Sequence, residues 1–169
     1  MSNILDRQSY VLQQTKEIHH TLTSVVVRGG DLSAIINRLG QLTKCPAACY
    51  DVQGTLLHCW TPDSMPERDV EMLKTMKKLF VHPDISANNP AQDGLSKSPR
   101  PYIETINLSS QAYQILSCPI VSSHDFFGHI SLFHSSNAFQ DINAVALEQS
   151  CSFAALEFLK QKAIAESRR

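Results

Sequence analysis

From about Phe139 to Ser167 the sequence reads as one long helix, and this stretch constrains the fold more than any other. At 3.6 residues per turn, Ile142, Val145, Ala146, Phe153, Leu156 and Leu159 fall on one stripe. Leu147, Cys151, Ala154 and Phe158 fall on another, roughly opposite, with Asp141, Glu148 and Glu157 between the two. A helix on the surface of a monomer needs one apolar stripe. Burying a single Leu or Phe contributes roughly 1.5–3 kcal/mol, so neither stripe is expected to face water. The first stripe is expected to cover a sheet. The second then needs a partner of its own: an N-terminal helix, a second subunit, or both. Beyond Leu159 the chain turns polar while keeping helical propensity, as a helix leaving a domain does.

The rest of the chain must supply what that helix packs on. With 169 residues, 43% hydrophobic and 18% charged, it has material for one ordinary core and too little charge for a disordered chain. Fifteen basic residues against 16 acidic ones give a net charge of −1, without the basic excess that phosphate contacts demand. DNA binding by these residues themselves is therefore not expected. No apolar run approaches the roughly 20 residues that cross a bilayer, and the N-terminus lacks the pattern of a secretory signal, so no membrane association is expected. Five cysteines, an odd number with no CxxC pair, point to a reducing, cytoplasmic setting with thiols used as small hydrophobes.

Ile4 to Arg28 reads as a helix in which Val11, Ile18, Leu22 and Val25 recur at seven-, four- and three-residue steps. This weak heptad pattern suits packing on a domain or a short coiled-coil contact. Gly29-Gly30 breaks it, and Asp31 caps a second helix that ends at Cys45-Pro46. Ala47 to Val52 and Thr55 to Trp60 form a hairpin about an Asp51-Val52-Gln53-Gly54 turn. Ser64 and Glu67 make a capping box, with Pro66 in the first turn of a helix that buries Val70, Leu73, Met76 and Leu79. Val81 to Pro101, with four prolines, is expected to be a long loop covering part of the sheet. Three strands follow: Tyr102 to Leu108, Tyr113 to Val121 and Phe126 to His134.

Alternation sorts the last two strands by face. If Ile120 pairs with Gly128, one face carries Leu116, Cys118, Ile120, Ile130 and Leu132, purely apolar, and belongs against helices. The other carries Ile115, Ser117, His129, Ser131 and Phe133. A solvent face rarely holds both Ile115 and Phe133, and a pure core rarely holds two serines and a histidine. A half-enclosed pocket accommodates both, and these five residues with Tyr102 are the candidate ligand-binding set. A second core with satisfied polar groups is the alternative.

The order of elements, the Asp51-xx-Gly54 turn, and Pro119-Ile120 followed by Phe127-Gly128-His129-Ile130-Ser131-Leu132 resemble a GAF domain. The stretches HTLTSVVVRGGDLSAIINRLGQLTKCPAACYDVQGTLL and ALEFLKQKAIAESRR are similar, more narrowly, to the sensory domain of PucR-type (CdaR-like) bacterial transcription regulators. The resemblance implies an α+β fold of the GAF/PAS type. Its antiparallel sheet would carry the N- and C-terminal helices on one face, and a helix plus the long loop on the other. It also implies a small-molecule metabolite as ligand, and DNA contact only through a C-terminal helix-turn-helix region that these residues do not include. Residues 1–30 would then be a dimerisation or linker helix, and 31–169 the sensory domain. A homodimer is expected through Val11, Ile18, Leu22, Leu147, Cys151, Ala154 and Phe158. No cofactor is expected.

Catalysis finds little support. Cys45-xxx-Cys49 with Cys59 lacks the paired spacing that zinc sites favour, so no metal is expected. Free methionine sulfoxide reductases are GAF-type enzymes, but their strand motif is not present, and no nucleophile and base fall into one site. A ligand-free dimerisation scaffold and, behind it, a redox enzyme using Cys118 or Cys59 remain the competing readings.

Overall fold

The computed structural model describes residues 3–76, 101–107, 112–135, 139 and 141–168. The expected loop from Val81 to Pro101 lies outside the described residues, apart from Pro101. Helices α1 (Asn3–Val27) and α2 (Leu32–Thr43) are followed by strands β1 (Ala47–Tyr50) and β2 (Leu56–Trp60) and helix α3 (Glu67–Thr75). Strands β3 (Tyr102–Asn107), β4 (Ala112–Ser122) and β5 (Asp125–His134) precede the long helix α4 (Asp141–Ser167). The five strands form one antiparallel sheet in the order β2-β1-β5-β4-β3. No described helix is long and apolar enough to cross a membrane.

Local chemistry sets most of the element ends. Asp31 caps α2, its Oδ1 accepting from the backbone N–H of Ala34 at 3.1 Å. In the β1–β2 turn, Asp51 Oδ1 accepts from the N–H groups of Gln53 and Thr55, each at 2.9 Å, and Gly54 takes φ +83°. The capping box at Ser64 does not form. Pro66 itself takes the capping position with ψ 142°, and no side chain there accepts a hydrogen bond. A proline presets its own φ but biases the preceding residue to extended geometry, and this moves the helix start past Ser64 and Met65.

The register pairs Ile120 with Gly128, and the two faces separate as alternation requires. Leu116, Cys118, Ile120, Ile130 and Leu132 join Ala47 and Cys49 in a core under α1, α2 and α4. The opposite face packs Ala48, Tyr50, Tyr113, Ile115 and Phe133 against Met65, Val70, Leu73 and Met76 from α3 and its flanks.

The structure reverses the assignment of the α4 stripes. Leu147, Cys151 and Ala154, expected to meet a partner, are buried on the sheet, and the Cys151 thiol reaches the carbonyl of Cys118 at 3.3 Å. Phe158 stacks on Phe127, ring centroids 5.2 Å apart and nearly parallel. Ile18 and Leu22 of α1 are buried in the same core, while Val11 is partly exposed. These buried side chains are packed within the single chain. The other stripe meets α1 instead, with Phe153 against His19, while Ile142 packs partly buried against the same core and Leu156 is left 57% exposed.

Candidate functional site

Strand pairing builds a continuous row of side chains across all five strands. Cys59 pairs with Ala48, Ala48 with Ser131, Ser131 with Ser117, and Ser117 with Tyr102. The next row runs Leu56, Tyr50, His129, Pro119. On the other side of the serines stand Phe133 and Ile115. The six candidate residues thus share one face, spread over three strands and two rungs on either side of the serine pair.

Ser117 and Ser131 are fully buried, and their hydroxyl oxygens lie 2.7 Å apart, close enough for one to donate to the other. His129 is 1% exposed and ringed by aromatic groups. Phe126 meets it edge-on at 5.0 Å and Tyr102 at 6.3 Å, and Tyr50 is its strand partner. Ile115 and Phe133 are buried, and Tyr102, on the outer strand, is the partly exposed member. Burial raises the phenol pKa of both Tyr50 and Tyr102, with neighbouring thiol charge adding to the first and Glu104 to the second. These groups therefore stay neutral hydrogen-bonding hydroxyls.

The sequence did not reveal how α3 is fixed over this face. Asp69, fully buried, accepts a hydrogen bond from the Tyr113 hydroxyl at 2.8 Å. A buried carboxylate bonded to the sheet from the first turn of the covering helix is an anchor for that helix. An acidic residue in a first turn is so ordinary that nothing marked Asp69 as buried.

The cysteines are thiols. Cys49 and Cys118 flank Ile130 on the helical face, with Cys151 above them. Burial pushes Cys49 up to about 12 and raises Cys151, Cys45 and Cys59 as well. Thiol chemistry runs through the thiolate, so this environment suppresses reactivity. Among the described residues no group of three or more His, Cys, Asp or Glu side chains is placed to hold a metal.

The sequence matches no protein-family model and no curated protein. The fold does have counterparts among solved structures. The GAF domain of a phosphoenolpyruvate-protein phosphotransferase from Coxiella burnetii superposes with a TM-score of 0.62 at 12% identity, covering 91% of this chain and 98% of that one. The GAF domain of the Acinetobacter phosphoenolpyruvate-protein phosphotransferase gives 0.52 at 12%, covering 97% and 98%. The phycocyanobilin-bound GAF domain of a cyanobacterial phytochrome gives 0.50 at 14%, covering 86% and 96%. The chain has a GAF-like α+β fold.

Proposed function

We propose that this chain is a small-molecule-sensing regulatory domain whose ligand contacts the Ser117–Ser131–His129 face of the sheet. The observation that carries the reading is the placement of two hydroxyls and an imidazole in an aromatic-lined layer beneath α3 that is apolar apart from these groups and the Asp69–Tyr113 bond. A few placed polar groups in an otherwise apolar lining are what orient a ligand in small-molecule sites. The phytochrome domain of like fold holds its phycocyanobilin, so a fold of this kind accommodates a bound small molecule.

The wider context follows the sequence resemblance. The domain, residues 31–169 preceded by the helix of 1–30, serves a bacterial PucR-type transcription regulator in the cytoplasm. It acts as a homodimer, and DNA is reached only through a helix-turn-helix region outside these residues. The partner surface is the exposed apolar set Tyr10 and Leu12 on α1 with Leu156 and Ile164 on α4, since the buried stripe is taken by the sheet. A ligand that prefers one packing of sheet on α4 over another shifts the population of exit-helix positions, by no more than its differential affinity for the two.

One observation favours the scaffold reading: Ser117 and Ser131 satisfy each other. A thermal-shift screen of small metabolites separates the two. A ligand present at 100 times its Kd stabilises by about 2.7 kcal/mol. That corresponds to a rise of roughly 5–10 °C for a domain of this size. Sensing predicts such a compound, with its effect lost in His129→Ala. If no compound stabilises the protein, or the rise survives in His129→Ala, the sheet face is a filled core.

A further inference from the structure

The helical side of the sheet holds a cavity of about 350 Å3, within the range of about 300–1,000 Å3 typical of small-molecule sites. It lies where α1, the end of α2, the end of β5 and the start of α4 meet. Ile18, Ile142 and Ala146 make one side apolar, while Lys44, His134 and Asn143 make the other polar.

The polar side is arranged for a negative charge. Among the described residues no carboxylate lines the cavity, and Lys44 contributes a cation. Lys44 closes α2 in the left-handed conformation, φ 58°, where glycine is the ordinary occupant, and its backbone N–H still caps Gly40. The 27-residue α4 begins here, and its first turn presents the positive end of its dipole. Asn143, in that first turn, is only 7% exposed. One of its two amide N–H donors is spent on a poor acceptor, the Cys45 thiol at 3.6 Å, and the other has no partner among the described residues. The His134 ring is held beside the cavity by an edge-on contact with Phe139 at 5.4 Å.

We propose that this cavity binds a small organic anion, a carboxylate carrying a short aliphatic body. The carboxylate sits between Lys44 and the Asn143 amide at the start of α4, and the aliphatic part lies on Ile18, Ile142 and Ala146. The site is independent of the sheet face. Its occupant touches the first and last helices together, and so ties one to the other.

Isothermal titration of the full chain with hexanoate, hexan-1-ol, hexylamine and inorganic phosphate tests both parts. Hexanoate is expected to bind, with the other three at least about tenfold weaker, the size of effect a charged hydrogen bond supplies. Lys44→Glu, at an exposed position, should weaken hexanoate by about tenfold or more on the same grounds. Leu42→Trp, whose side chain borders the cavity and is 38% exposed, should abolish binding by filling it, with circular dichroism confirming the fold. His129→Ala should change nothing, which keeps this site distinguishable from the sheet face. Absence of hexanoate binding, equal affinity for hexanol, phosphate binding as tight as hexanoate, or affinity unchanged in Lys44→Glu would each overturn the proposal. Loss of binding in His129→Ala would move the ligand to the other face and overturn it too.

Discussion

Gly128 is where β5 comes too close to β1 for any side chain. A Cβ built there falls 2.0 Å from the Tyr50 carbonyl oxygen and 3.1 Å from the Asp51 Cα, all backbone atoms that no rotamer change can move. Its φ of +143° is also one that L residues rarely adopt. Gly128→Ala therefore carries two costs: backbone strain of about 1–3 kcal/mol and overpacking of about 1–3 kcal/mol. Together these amount to about 4 kcal/mol, a large share of the roughly 5–15 kcal/mol that holds a domain together. At roughly 2–4 °C per kcal/mol this lowers Tm by about 12 °C. Urea unfolding followed through the fluorescence of Trp60, the sole tryptophan, measures it on β2, the strand beyond β1. Gly29→Ala is the control. Its φ is +81° but nothing lies within 4 Å of the new Cβ, so it carries the strain alone, about 1–2 kcal/mol. If Gly128→Ala loses no more stability than Gly29→Ala, the close approach of the two strands is not what makes glycine necessary.

Leu147→Glu should prevent folding or cost at least about 3 kcal/mol, because its side chain is wholly buried on the sheet, whereas Leu156→Glu should leave stability within about 0.5 kcal/mol and weaken self-association in sedimentation. An unfolded Leu156→Glu, or a folded Leu147→Glu that is merely monomeric, would restore the opposite phase of the helix. Tyr113→Phe removes a donor to the buried Asp69 carboxylate and should cost about 1.5–3 kcal/mol, with faster amide exchange in α3 than in α2; uniform exchange would show that the bond does not anchor α3. Asp31→Ala should cost about 1 kcal/mol at neutral pH in chemical denaturation. The Ala34 N–H and then the Ser33 hydroxyl lower the Asp31 pKa in the folded chain below 3.8, so this contribution is present above that value and fades as pH falls through the lowered one. A wild-type-to-variant difference that instead grows in acid would contradict the cap.

The strands were legible because alternation leaves two choices per strand, and the Ser122–Asp125 connection fixes which one. Once Ile120 stands opposite Gly128, every residue from Ile115 to Ile120 and from Gly128 to Phe133 has a face; the bulge beyond them puts Phe127 on the helical side. The long helix was harder for the opposite reason. With apolar residues on two sides, its sequence contains no preference for which side meets the sheet, and only the small residues Cys151 and Ala154 under the strands distinguish them. Pro66 displaced a capping box that the spacing of Ser64 and Glu67 favoured. Asp69 pairs with a residue 44 positions away, a distance over which periodicity carries no information. The cavity at Lys44 went unforeseen because three of the four elements that line it contribute only their ends, and ends are where sequence patterns stop.

Helix α4 has the proportions of a lever. Its fully buried positions end at Ala155, and twelve residues, about 18 Å at 1.5 Å each, continue to Ser167. Among the described residues it is held along that length by the Phe127–Phe158 stack and by an exposed ion pair, Lys162 to Asp125 at 3.4 Å, of a kind worth little against thermal motion. A tilt of about 10° at Ala155 carries Ser167 through about 3 Å, more than half the pitch of a helical turn. Displacements of a few tenths of an ångström between the sheet and the helix thus become, at the far end, movements large enough to change which side chains meet.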